Sequence, residues 1–493
     1  MPSPGRAHER VDVATLVGID VGTTGVKAIA LSEDGSVLRR AEHGYPLYTP
    51  RPGWTEQDPE QWWRATTGAL DELALDRIDG IGLTGQMHGL VVLDRHGKIL
   101  RPAILWNDQR TARECSEIED KVGLSRLIEL TGNRALTGFT APKLLWLRKN
   151  EPETYRQVDR VLLPKDYVRL RLTHERATDV ADASGTLLFN VAQRNWSEEI
   201  MSALGVDPDW FPPALEGPDV AGYTAESVAV AAGAGDQAAG ALGVGINRPG
   251  SLSIALGTSG VVFAALAAYV ADAQARLHIF CHAAPGSWHA MGVMLSAAGS
   301  LRWLRDAIGR DVAFHKLLAE AERWSPDSEG LTFLPYLAGE RTPHADPDAT
   351  GAFCGLTLRH DRGAMVRSVL EGVAYGLRDS LQLMRELGVD ADVARISGGG
   401  MRGSLWLRII ASVLRIPLET TAVEEGAAYG AALLGGVAGG VFGTVSEAIE
   451  ACVSVRSTID PVSSWMTAYE DGYEQFRALY PALRSVRREG EHL

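Results

Sequence analysis

LVGIDVGTTGVKAIAL, residues 16–31, is the stretch on which the reading of the whole chain turns. Residues 16–19 and 26–31 are short apolar runs of strand type, separated by Asp20 and the small-residue turn Gly22-Thr23-Thr24-Gly25. Glycines open positive φ and let a ligand come close, while successive amides and two hydroxyls can point at an anion. A carboxylate beside such a loop is placed to hold a divalent cation through water. The stretch reads either as a phosphate-gripping hairpin with a metal-side acid or as a plain β-hairpin with a glycine-rich turn.

An internal echo favours the first reading. Val21-Gly22-Thr23-Thr24-Gly25-Val26 recurs as Leu256-Gly257-Thr258-Ser259-Gly260-Val261, again between apolar flanks. Two related domains, each opening with a phosphate-binding hairpin, would clamp a polyphosphate from both sides. Only the first copy carries the acid, since Ala255 stands where Asp20 would be.

Outward from the first hairpin, the Asp34-Gly35 turn predicts a third strand over 37–45 and hence an antiparallel meander. A helix is expected over 61–75, and an apolar strand over 78–83 runs into Thr84-Gly85-Gln86-Met87-His88-Gly89. A second hairpin is read over 91–105, ending in Trp106-Asn107-Asp108-Gln109-Arg110. Polar and aromatic groups gathered at strand ends suit a polyol: a ring face plus hydroxyl partners. Helices are expected over 111–130 and 144–149, and the acidic segment 178–186 reads as a loop over the pocket or a surface turn. The apolar strand over 228–231 leads through Gly233-Ala234-Gly235 to Asp236 at the start of a small-residue helix. A carboxylate there is either a general base held ionised by the helix or an ordinary N-cap. In the second half, 365–387 reads as a long packing helix, and a strand over 393–396 delivers Gly398-Gly399-Gly400, which permits a flat ligand against the backbone. Gly426 to Gly440 reads as a small-residue helix able to pack closely.

Bulk composition narrows the classes. The chain has 493 residues, 45 % hydrophobic and 22 % charged, enough for two or three globular domains. A formal net charge of −14 argues against a nucleic-acid binder, which needs a basic face to replace counterions. Cys115, Cys281, Cys354 and Cys452 show no metal or CxxC spacing, which fits a reducing compartment. No apolar run approaches the ~18 residues of a membrane span. Residues 1–14 read as a disordered leader without a signal-peptide core, and the expected location is cytoplasmic. A GxxxxGK[ST] loop, a continued GxGxxG, and HExxH or GxSxG in a convincing context are missing.

Gly138-Phe139-Thr140-Ala141-Pro142-Lys143-Leu144-Leu145-Trp146 closely resembles the first signature of the FGGY carbohydrate kinases. The segment from Gly355-Leu356 to Val369-Leu370-Glu371 resembles the second, with Ala364 in place of the family's usual polar residue. The duplicated hairpins, Gly235-Asp236-Gln237 and the Gly398-Gly399-Gly400 turn match as well, so the resemblance covers about 17–452. Gly85-Gln86-Met87-His88-Gly89, Leu163-Pro164-Lys165-Asp166-Tyr167 and Gly339-Glu340-Arg341-Thr342-Pro343-His344 are similar to members that act on a ketose.

The resemblance implies an α/β fold of two related actin/hexokinase-like (ribonuclease H-like) domains flanking a catalytic cleft. The boundaries drawn on it are 15–248, 249–450 and a C-terminal helical tail over 451–493. It implies ATP-dependent phosphorylation of D-xylulose, with another ketose or polyol (ribulose, erythritol, glycerol) or a non-catalytic actin-like ATP-binding protein as alternatives. Asp236 would be the proton acceptor, and Asp20 would organise Mg²⁺ together with Asp236. Gln86, Met87, His88, Trp106, Asp236 and Gln237 would meet the sugar. Gly22, Thr23, Thr24, Lys27, Gly257, Thr258 and Ser259 would hold phosphates, and Gly399, Gly400 and Met401 the nucleoside. The expected partners are the ketose and ATP, with homodimer assembly as a further expectation. The family's base motif is usually GGGD, so Ala234 is a departure.

Overall fold

The computed structural model describes residues 13–490; the leader read at 1–14 lies outside them except for its last two positions. The first sheet is built from β1 (Thr15–Val21), β2 (Gly25–Ser32), β3 (Val37–Gly44), β4 (Gly80–Gly85), β5 (Val220–Tyr223), β6 (Ala229–Ala231) and β7 (Ala234–Gly235). Its order is β5-β6-β4-β1-β2-β3, with β7 alongside β4. β1, β2 and β3 form the expected antiparallel meander, while β4 runs parallel to β1. Apolar residues on both faces of β1 and β2 are buried, as expected of strands covered by helices on either side. β3 is polar and exposed, which suits an edge.

The second sheet repeats this plan. It contains β8 (Leu252–Leu256), β9 (Gly260–Leu266), β10 (His278–Cys281), β11 (Trp288–Met294), β12 (Ala394–Ser397), β13 (Leu418–Thr421) and β14 (Val455–Ile459). Its order is β10-β11-β9-β8-β12-β13-β14. β8-β9-β11 form an antiparallel meander, β12 runs parallel to β8, β13 parallel to β12, and β14 closes the edge antiparallel. Strand for strand, β3-β2-β1-β4-β6-β5 corresponds to β11-β9-β8-β12-β13-β14. The repeated hexapeptide falls at the same place in both, the turn of the central hairpin.

The helices that matter for the site are α1 (Pro59–Leu73), α2 (Thr140–Asn150), α3 (Pro164–Thr173), α4 (Asp236–Gly243), α5 (Ala298–Ile308), α6 (Arg362–Glu386), α7 (Ser404–Leu414), α8 (Ala427–Ala438) and α9 (Met466–Gly490). α6 is the packing helix expected from its periodicity, capped by Asp361, whose carboxylate accepts from the backbone N–H of Ala364. That contact uses only the backbone, so the alanine there costs the cap nothing.

α8 binds the two halves together. It follows the second sheet's β13 yet lies on the first sheet, against β1, β4 and α4. Gly18, Gly80 and Gly82 make this possible: a Cβ on them would sit 1.9, 2.0 and 1.8 Å from the carbonyl oxygens of Ala428, Gly435 and Ala431. Backbone thus meets backbone, and the packing crosses the boundary drawn at 248/249. None of the described helices is long and apolar enough to cross a membrane.

Four local expectations change. The helix over 111–130 is two helices, Ala112–Val122 and Leu124–Thr131, broken where Gly123 takes φ 84°. The hairpin over 91–105 survives only as the isolated bridges Leu93–Ile99 and Leu90–Ile104. Pro102 cannot donate to a ladder, and the two short strands pair elsewhere, 91–93 with 160–162 and 103–104 with 56–57. The tail over 451–493 is not all helical, since β14 lies within it as an edge strand of the second sheet. Segment 178–186 is buried throughout; Asp179 and Asp182, with Asp166, surround the fully buried Lys165 ammonium at 2.5, 3.2 and 2.6 Å. Arg169 joins this cluster through Asp166 and donates to the carbonyl of Ala232 at 2.6 Å, bracing the turn that leads to Asp236.

Candidate active site

Asp20 is the penultimate residue of β1 and Asp236 opens α4, and together they line a cleft of about 1,040 Å³ between the sheets. Burial pushes the Asp20 carboxyl up to about 7, helped by the charge of Asp236 and opposed by Lys27. Burial likewise raises Asp236 to about 6, against hydrogen bonds from Gln237. Gln237 Nε2 donates to Asp236 Oδ1 at 3.2 Å, whereas Asp20 Oδ1 is buried with no hydrogen-bond partner among the described residues. An orphaned carboxylate oxygen near a second carboxylate fits a hard cation such as Mg²⁺, which takes one or two carboxylates and completes its shell with phosphate and water. No cluster of three or more His, Cys, Asp or Glu suited to an all-protein metal cage occurs among the described residues.

The turn bringing Asp236 into place explains its glycines. Gly233 takes φ 83°, and a Cβ there would lie 2.0 Å from the carbonyl oxygen of Leu83. A Cβ on Gly235 would strike Met87 Cγ at 2.7 Å. Ala234, between them, is an ordinary buried residue paired with Thr84 in the sheet, with no positive φ. The departure from the family motif therefore falls where no glycine is needed.

A second cavity, about 740 Å³, opens from the same carboxylate. Met87, His88 and Trp106 line it with Asp236, Gln237 and Ser259, and Phe139, His278, Phe280 and Arg341 complete the lining. Asp236 and Gln237 are thus shared by both cavities. His88 sits at φ 65°, edge-on to Phe139 at 5.0 Å, and burial holds its imidazole neutral by lowering its pKa well below the usual value. Gly185 must be glycine for this ring to fit, since a Cβ would lie 1.9 Å from His88 Cε1. The Lys143 ammonium donates to the carbonyls of His88 and Gly138 at 2.8 and 2.6 Å, so the signature segment 138–146 clamps the loop that carries His88 while its Gly138 and Phe139 line the cavity.

The remaining residues fall into three groups. Gln86 is buried and turned away from the cavity: its Nε2 donates to Gln57 Oε1 at 2.8 Å and to the Gly22 carbonyl at 3.3 Å, and its Oε1 accepts from Thr23 Oγ1 at 3.3 Å. It shapes the first loop and is not among the residues that line the cavity. Trp106, 44 % exposed, joins loop to pocket by donating to Thr23 Oγ1 at 3.0 Å. Asn107, Asp108 and Arg110 are scaffold, bonded to Thr55 and to each other.

In the loops, Gly22 N–H bonds the Gly25 carbonyl at 3.0 Å, and Gly257 N–H bonds that of Ser259 at 3.0 Å. The second loop is seated on α5 through Ala297 and Gly299 N–H to Thr258 O, at 2.8 and 3.1 Å. Thr24, Thr258 and Ser259 are exposed, Ser259 lining the second cavity, and Thr23 is half-buried with its hydroxyl bonded to Gln86 and Trp106. Lys27 is paired with Glu425 at 2.7 Å. In the glycine turn, Gly398 (φ 96°) lines the cleft with Ser397, Thr421, Val423 and Gly426. Gly399 is exposed beside it, Gly400 packs on Leu256, and Met401 lies against the core.

Two sheets of one plan carry matching hairpin turns, and Asp236 lines both cavities between them. Profiles of the FGGY family of carbohydrate kinases match the chain over residues 15–243 (N-terminal domain) and 252–439 (C-terminal domain). The chain belongs to this family. It is 42 % identical over 481 residues to the xylulose kinase of Escherichia coli, covering 95 % of this chain and 99 % of that one. The crystal structure of a xyloylose kinase from Brucella ovis superposes with a TM-score of 0.91 at 40 % identity, covering 96 % and 100 % of the two chains. That of the Rhodospirillum rubrum xylulose kinase does so with 0.90 at 31 %, covering 96 % and 99 %.

Proposed function

We propose that this chain transfers the γ-phosphoryl group of ATP to the terminal hydroxyl of D-xylulose, giving D-xylulose 5-phosphate. The observation that carries the reading is the position of Asp236, the acid that lines both the apolar-walled cavity and the inter-sheet cleft. A sugar in the first would present a hydroxyl to a nucleotide in the second across this carboxylate. The kinship with xylulose kinases supports the choice of ketose.

Phosphoryl transfer asks little covalent chemistry of a protein; positioning, charge neutralisation and removal of the nucleophile's proton do the work. Asp236 takes the hydroxyl proton as the oxygen attacks the γ-phosphorus, and Gln237 fixes the carboxylate's orientation. Amides and hydroxyls of Gly22–Gly25 and Gly257–Gly260 hold the phosphates from both sides, and the nucleoside lies along Gly398 and the 421–427 segment. Asp20, with Asp236, would hold Mg²⁺, which supplies charge neutralisation to the transferring phosphate. Apolar walls from Phe139, Phe280, Met291 and Val293 keep water from competing with the sugar hydroxyl.

Turnover on D-xylulose, D-ribulose, erythritol and glycerol with Mg-ATP tests the proposal. D-Xylulose is expected to give the largest kcat/KM; a clear preference for any other sugar overturns the substrate assignment.

A further inference from the structure

The 740 Å³ cavity is lined by a half-buried cation that the mechanism above does not use. The Arg341 guanidinium makes no hydrogen bond or ion pair among the described residues, although burial presses on its charge. Its backbone is fixed on both sides. Glu340 Oε1 accepts from the N–H groups of Leu295 and Arg341 at 3.0 and 2.8 Å, and Thr342 exchanges bonds with Val293, N–H to carbonyl and N–H to hydroxyl, each at 3.0 Å. A side chain whose backbone is anchored this firmly presents its guanidinium donors to the cavity, where a ligand acceptor can take them.

Its neighbour His278 supplies the opposite hydrogen-bonding sense. Asn133 Nδ2 donates to the carbonyls of Thr131 and Ile279, at 2.8 and 3.1 Å, which fixes its Oδ1 as an acceptor toward His278 Nδ1 at 2.6 Å. His278 Nδ1 therefore carries the proton, and Nε2 keeps a lone pair on a residue that lines the cavity. Burial, with the Arg341 charge, lowers this imidazole to about 3, so it stays neutral in use.

We propose that Arg341 and His278 read the hydroxyketone end of the sugar, Arg341 donating to the C2 carbonyl oxygen and His278 Nε2 accepting from the C1 hydroxyl. One end of an open-chain ketose offers an acceptor beside a donor, and this wall offers the complement. This orientation leaves the C5 hydroxyl for Asp236, which lines the same cavity. Reducing C2 to an alcohol makes it tetrahedral and moves O2 out of the plane that a guanidinium fork prefers. The inference deepens the ketose reading and rests on it.

Steady-state rates for wild type, Arg341→Met and Arg341→Lys with D-xylulose and with xylitol, the same carbon chain with C2 reduced, test it. Arg341→Met is expected to raise KM for D-xylulose about thirtyfold and to narrow the preference over xylitol about tenfold, as loss of a charged hydrogen bond does. KM for ATP is expected to stay within about twofold, a split that a merely structural role would not give. Arg341→Lys keeps charge without the fork and recovers part of the loss; it also carries the test if melting curves show the Met variant unfolded. An unchanged D-xylulose-to-xylitol ratio in a folded variant overturns the inference. A wild type inactive on D-xylulose overturns instead the ketose reading beneath it.

Discussion

Replacing Asp20 with Asn removes a carboxylate that the fold holds at a cost. Its pKa rises from 3.8 to about 7 in the folded protein. The folded state therefore binds this proton more tightly than the unfolded chain, and stability falls as pH rises between those values. At 1.36 kcal/mol per tenfold change in ionisation, the cost of the charge at pH 8 is about 4 kcal/mol at most. The amide loses the attraction of Lys27 and brings an N–H₂ group to be satisfied, so the expected net gain for Asp20→Asn is on the order of 1–3 kcal/mol. Thermal melts of the ligand-free protein from pH 4 to pH 8 read this directly. The variant should melt a few degrees higher at pH 8, and the gap should narrow toward pH 4, where Asp20 is protonated in the folded state and close to its unfolded midpoint of 3.8. The order should reverse with Mg-ATP present, because wild type gains more from binding. A variant less stable than wild type at every pH, or a gap that does not vary with pH, would refute the electrostatic account of Asp20.

Three further outcomes follow from the geometry. kcat/KM for the sugar should fall tenfold per pH unit below about 6, where burial places Asp236, since only the ionised carboxylate accepts a proton; a profile flat down to pH 5 contradicts it. Gly82→Ala puts a Cβ 1.8 Å from the Ala431 carbonyl oxygen, so about 3 kcal/mol or more of stability should be lost as α8 is pushed off the first sheet. Denaturant titration measures that loss. Gly185→Ala intrudes on the His88 ring, and KM for the sugar should rise about tenfold or more with KM for ATP unchanged, as paired saturation curves would show.

The central hairpins were legible because their information is local. Gly22-Thr23-Thr24-Gly25 and Gly257-Thr258-Ser259-Gly260 carry their own turn chemistry, and their repetition predicts the repeated sheets. Asp236 was legible for a similar reason, as a strand-to-helix junction is written in adjacent residues. What escaped depends on partners distant in the chain. Gln86 shares a strand end with Met87 and His88, yet its side chain turns back to Gly22 and Gln57. Segment 178–186 looks like a solvated acidic turn until Lys165 is found buried among its carboxylates. Arg341 and His278 join the cavity from separate parts of the second half, and no spacing links them to residues 86–88. The docking of α8 had one visible signal, the small residues of 427–438 facing the glycines at 18, 80 and 82, but only the packed structure pairs them.

Single-turnover phosphorylation of D-xylulose by Asp236→Asn, at saturating Mg-ATP, is the most direct check on the shared carboxylate. The amide keeps the shape of the side chain and cannot take the proton. The rate is expected to fall at least about a hundredfold, in the range that general-base removal produces, while ATP affinity stays within about threefold of wild type. A variant that phosphorylates the sugar within about tenfold of the wild-type rate would contradict the assignment of Asp236 as the base.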